Sequence, residues 1–249
     1  MKPMQEYSEL IKYYQKELDD CLKKGDQTND PPAIMIRRTI EFSIITIRSI
    51  ELLLEHDKTE LLAQILVRPQ YELCLRILWA SVSEDGWERL QVYYANEDKK
   101  WAEEAKNLNL NNEFSAFVNE KLNEADNVLA RQNDNGEIYK NAPDMKCILK
   151  QIEKYYQSNG FRASNSKMAV FEYNQVYRRL SRYEHAHISD IAVDKPNVFK
   201  KNIVICEGLA VRALLHAICI IAASEPKKEI ETIEDNIKSI LWNYLSKNN

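Results

Sequence analysis

The sequence predicts an all-α protein, a bundle of about nine helices, on three observations. Glycine and proline number only 5 and 7 in 249 residues, too few turn formers for a many-stranded sheet. Apolar residues recur at spacings of three and four over long stretches, and the breaks between those stretches are few. With 45% apolar and 29% charged residues, the chain also has enough apolar surface to build a core.

The elements follow in order. A first helix covers residues 3–24 and ends at Gly25, before the polar run 26–30. Asp30 can cap a second helix reaching about residue 56, with Pro31 and Pro32 in its first turn. Ile36, Ile40, Ile47, Ile50 and Leu54 lie near one face of it. After a turn at 57–59, a third helix spans 60–82, with Pro69 expected to remove one backbone hydrogen bond and bend it. The break at 83–86 precedes a fourth helix to residue 106, with Trp87, Leu90, Tyr94 and Trp101 as its apolar stripe. Phe114, Phe117, Leu122 and Leu129 place a fifth over 112–131, followed by a polar run that marks 132–141 as a mobile loop. Pro143 opens a sixth helix to residue 156, and a seventh runs from 166 through Phe171, Val176 and Leu180 toward His185.

The eighth helix is the central one, apolar nearly all round near 198–223. It is long enough to span a membrane, but Glu207, Arg212 and His216 interrupt it and would be costly in lipid. It therefore reads as a core helix, with no membrane partner. A ninth, 228–245, turns Ile230, Ile233, Ile237, Ile240, Leu241 and Leu245 inward. The whole chain, 1–249, reads as one helical domain.

Composition excludes several function classes. A net charge of −4 leaves no global basic field, so any RNA contact must come from a local patch. Five widely spaced cysteines read as reduced core thiols and a cytoplasmic setting. The N-terminus has no apolar core of a signal peptide. Without CxxC, HExxH or clustered Cys/His spacing, no metal is expected. No cofactor is expected either, since a Gly-x-Ser-x-Gly elbow, a phosphate-cradling glycine loop and a dinucleotide fingerprint are all missing.

Two constellations can carry chemistry. The first runs from Tyr177 to His187 and holds Arg178, Arg179, Arg182, His185 and His187. On a helix, Arg178, Arg182 and His185 fall at offsets of four and three, so they share a face and can converge on one anion. Arginine grips phosphate in a two-pronged fashion, and histidine titrates near neutrality. Together they suffice for RNA cleavage without metal. A base takes the 2′-hydroxyl proton, an acid protonates the leaving oxygen, and arginine stabilises the charged phosphorane. The bland alternative is a solvated helix end where the histidines offset the helix dipole.

The second constellation is Arg68, Glu72 and Arg76, three charges at successive offsets of four in an otherwise apolar helix. Such a ladder reads either as an ion-pair row at the rim of the core or as extra charge for the first cluster. In the latter case Arg68 and Arg76 bind substrate and Glu72 orients a histidine.

Four residues separate Arg182 from His187, and five separate Arg179 from His185. This spacing resembles the Arg-x(4–6)-His motif of the HEPN (higher eukaryotes and prokaryotes nucleotide-binding) superfamily. Members are helical bundles, usually dimeric, and many are metal-independent ribonucleases of toxin–antitoxin and antiphage (antiviral defence) systems. The resemblance implies Arg182 and His187 as the catalytic pair, with Arg179 and His185 as the alternative register and Arg178 on substrate. It also implies RNA as substrate, a homodimer, and an antitoxin or inhibitory protein partner. Residues 65–79 and 177–189 further resemble a family of uncharacterised bacterial all-helical proteins. The other function class left open is a non-catalytic binding or scaffold module, whose arginines recognise a nucleotide or a partner protein.

Overall fold

The computed structural model describes residues 2–24, 30–56, 60–108, 111–159, 174, 177 and 196–222. Those residues form seven helices: α1 (Lys2–Lys24), α2 (Pro31–Glu55), α3 (Glu60–Val82), α4 (Gly86–Lys106), α5 (Asn112–Leu129), α6 (Met145–Ser158) and α7 (Pro196–Ile221). The all-α class holds, with no named strand among the described residues. The expected helices at 166–185 and 228–245 lie outside them, apart from Asn174 and Tyr177. Although the sequence reads as one domain, the chain divides into two compact units, 83–144 and the remainder.

In the larger unit α7 is packed against α3, α1 and α2, most extensively against α3. The reason is its apolar surface: Leu209, Ala210, Val211, Ala213, Leu214, Leu215, Ala217 and Ile218 are all fully buried. The stretch Ile203–Ile221 is long and apolar enough to cross a membrane, yet 89% of it is buried within the protein. Val67, Tyr71, Leu75, Leu78 and Trp79 of α3 are buried, and the Trp79 indole donates to Gln151 Oε1 on α6 at 2.7 Å. α3 is helical straight through Pro69, which sits on its exposed side.

On α2 the stripe Ile36, Ile40, Ile47 and Ile50 is fully buried, while Leu54 is half-buried. Asp30 occupies the N-cap position in extended conformation, but its side chain makes no capping hydrogen bond. Its backbone carbonyl instead accepts from Ile34 N at 3.0 Å, the start of the helical ladder behind two prolines that need no partner. Arg37 ties α2 to α1 through Asp19, Nε to Oδ1 at 3.0 Å.

In the smaller unit α4 packs on α5, entered through Asp85 in the left-handed region at φ 51°. Its interior corrects the expected stripe. Ala102, Ala105, Val118 and Leu122 form the core, while Trp101, Phe114 and Phe117 are 43%, 38% and 44% exposed, with Trp101 edge-on to both phenyl rings. Small alanines let the two helices approach closely, and that approach leaves no room for indole and phenyl rings between them. The 132–141 run is held by hydrogen bonds despite its loop-like composition. Asn133 Oδ1 accepts from the backbone N–H groups of Asn135 and Glu137, Gly136 turns the chain at φ 77°, and Gln132 bridges Ile138.

Candidate functional site

The helical offset of four places Arg68, Glu72 and Arg76 along one side of α3. Arg68 Nε donates to Glu72 Oε1 at 2.8 Å, with side chains 14% and 23% exposed. Arg76, one turn on, is buried. Glu72 Oε1 accepts from Arg68, and the histidines that Glu72 was expected to orient, His185 and His187, lie outside the described residues.

The first residue of the Tyr177–His187 cluster meets this ladder. The Arg68 guanidinium lies 5.4 Å from the centroid of the Tyr177 ring, the cation-over-ring geometry in which an aromatic face attracts positive charge. Partial burial pushes the Tyr177 hydroxyl above its ordinary pKa, reinforced by the Glu72 carboxylate. A hydrogen bond with Arg68 and the charges of Arg68 and Arg76 pull the other way. All three ladder residues therefore act on Tyr177. Arg178, Arg179, Arg182, His185 and His187 themselves lie outside the described residues.

Another side of α3 carries a sealed polar seam that the sequence reading located only in part. Gln70 Nε2 donates to Glu207 Oε1 at 2.5 Å, and both residues have no exposed surface. Burial pushes the Glu207 carboxyl up to about 8, against the lowering effect of the Gln70 bond, so at neutral pH it is mostly protonated. One turn from Gln70, Cys74 Sγ lies 3.7 Å from Ser43 Oγ of α2. Burial pushes that thiol up to about 12, which makes it a packing residue and no nucleophile. Further along α7, His216 shares a hydrogen bond at Nδ1 with the Tyr156 hydroxyl of α6, and the two rings meet edge-on. Burial, with the Arg212 charge, pulls His216 down to about 3, so it stays neutral.

Burial thus keeps Glu207 and His216 of α7 uncharged, and each is satisfied by a hydrogen bond. Glu207 pairs with Gln70 and His216 with Tyr156. The signal for Gln70 was present in the sequence: an amide within a largely apolar helix needs a polar neighbour when buried. Arg68 at 14% and Glu72 at 23% exposure keep part of the ladder open to solvent, while Arg76 is buried. A guanidinium carries five N–H donors, so Arg68 can hold an anion while bonded to Glu72.

Fold and site together define an all-helical protein with a sealed polar seam under a cation ladder. Residues 34–197 match the model of a family described as "Family of unknown function (DUF5677)", and the chain belongs to that family. The matched stretch includes the ladder and the whole Arg178–His187 run, and it ends at the start of α7. No curated protein and no solved structure matches the chain.

Proposed function

We propose that this chain is a HEPN-type RNA endonuclease that works without metal, as a toxin or antiphage effector in the bacterial cytoplasm. The observation that supports this reading is the seating of Tyr177 on Arg68. Arg178 follows Tyr177 directly in the chain, and on this proposal the arginine/histidine run would act together with the cations of α3. Arg68, Arg76 and Arg178 would hold backbone phosphates and set the register of the RNA. Arg182 would stabilise the charge of the scissile phosphate, and His187 or His185 would move the proton. Arg179 with His185 is the other register. A homodimer would complete the site, and an antitoxin or inhibitory protein would restrain it. Cys74, Cys147, Cys206 and Cys219 form no disulfide, which suits a reducing compartment.

A second reading is favoured by the Arg68–Glu72 pair. Glu72 offsets part of the ladder's charge, which suits a non-catalytic module that recognises a nucleotide or a partner protein. Expression of wild type beside Arg182→Ala, His187→Ala and His185→Ala separates the two, with growth and total-RNA integrity as readouts. The nuclease reading expects growth arrest and RNA fragmentation in wild type, and their loss in Arg182→Ala and in one histidine variant. Equal toxicity in all four, or intact RNA in all four, would overturn it in favour of the binding module.

A further inference from the structure

α2 is apolar on two sides. Its inner side, with Ala33, Ile36, Ile40, Ile47 and Ile50, belongs to the core. Its outer side carries Ile34, Phe42, Ile45 and Leu52 at 38%, 38%, 62% and 62% exposure, with the exposed Arg38 between Ile34 and Phe42. A helix that covers one side of a core ordinarily turns charges outward, so a second apolar stripe requires its own explanation. Phe42, Ile45, Ser49 and Leu52 follow one another at spacings of three, four and three, the seam pattern of paired helices. The polar member of that seam is satisfied within its own helix, because the Ser49 hydroxyl donates to the Ile45 carbonyl at 3.0 Å.

Beside the seam stand Glu41 and Arg48, seven residues apart on one edge, both exposed and paired with no other described residue. Two copies of α2 laid antiparallel, with Phe42 of one against Ile45 of the other, bring Glu41 of each copy alongside Arg48 of the other. A two-fold interface must be self-complementary, and a patch carrying one charge of each sign beside an apolar seam meets that condition. We propose that the outer face of α2 is where two copies of this chain associate, antiparallel, on the Phe42–Ile45–Leu52 seam with reciprocal Glu41–Arg48 pairs. The proposal gives a surface to the homodimer of the nuclease reading, takes its observations from α2 alone, and leaves that reading to be tested separately by RNA integrity.

The test is sedimentation equilibrium of the full chain over a concentration series, with circular dichroism to verify that each variant is folded. Wild type is expected to dimerise. Ile45→Glu is expected to be monomeric, and Glu41→Arg or Arg48→Glu alone should weaken association about tenfold by setting like charges together. The double swap Glu41→Arg with Arg48→Glu should restore it. A wild type monomeric throughout would overturn the proposal, as would a dimer indifferent to Ile45→Glu. Single swaps that weaken a dimer which the double swap fails to rescue would overturn the antiparallel pairing.

Discussion

The α4–α5 unit and the α3–α7 core handle charge and aromatic bulk in opposite ways. In α4–α5 the ionic contacts are exposed, as in Lys99–Asp126, Lys100–Glu97 and Lys121–Glu124, and the interior is alanine, valine and leucine. The α3–α7 core instead encloses Trp79, Glu207, Arg76, Arg212 and His216. Exposed pairs contribute little because water and salt screen them, whereas a buried ionisable group ties stability to its protonation state. Sensitivity to mutation and to pH should therefore concentrate in the α3–α7 core.

The two tryptophans give the largest expected contrast. Trp79→Ala removes a fully buried indole and its bond to Gln151, and should cost about 3–5 kcal/mol. Trp101→Ala removes a ring already 43% exposed and should cost about 1 kcal/mol, its share of the edge-on stack. Chemical denaturation of both variants measures the pair, and equal losses would break the contrast.

The pH dependence of stability comes next. Glu207 rises from 4.5 unfolded to about 8 folded, so the folded state holds a proton the unfolded chain lacks and stability declines as pH rises across that window. His216 falls from 6.5 to about 3, so the unfolded chain holds the extra proton and stability declines as pH drops across that window. Between 4.5 and 6.5 the two slopes cancel. From these two groups, stability should have a plateau there, with a decline of about 1.4 kcal/mol per pH unit above 6.5 and another below 4.5. Glu207→Gln keeps the shape and the neutral state, so it should abolish the alkaline decline and, with the cancelling slope gone, extend the acid decline up to 6.5. Denaturation midpoints at pH 5.5 and 8 check this, and an unchanged alkaline slope would refute it.

The smallest expected effect lies at the start of α5. Asn111 Oδ1 accepts from Phe114 N at 2.9 Å, and Asn111→Ala should cost about 1 kcal/mol by leaving that donor to water. Denaturant titration of the variant reads it. A loss as large as that of Trp79→Ala would show that helix ends outweigh the core, contrary to the comparison.

Helix boundaries were legible wherever local chemistry decides them. Pro31 and Pro32 open α2, and α3 spans 60–82 as periodicity predicts because both ends carry turn formers. The orientation of α4 and α5 was not legible. Periodicity identifies an apolar stripe, but whether alanines or aromatics face the neighbour depends on how closely two helices cross, and that is a tertiary property. The ladder was read from its spacing, while the contact of Arg68 with Tyr177 was not, because no local rule joins positions over a hundred residues apart. Gln70 and Glu207 illustrate the same limit: each is conspicuous as a buried polar residue, and nothing in either helix names the other.

The separation of Gln70 and Glu207, 137 residues, also bears on the making of the protein. α3 leaves the ribosome well before α7 exists, and at ordinary translation speeds of about 5–20 residues per second the wait is roughly 7–27 s. Throughout it Val67, Leu75, Leu78 and their neighbours have no α7 to cover them. Nascent chains of this protein should consequently depend on holding chaperones, and a truncation before α7 should be cleared by proteases or aggregate instead of accumulating as a smaller folded product.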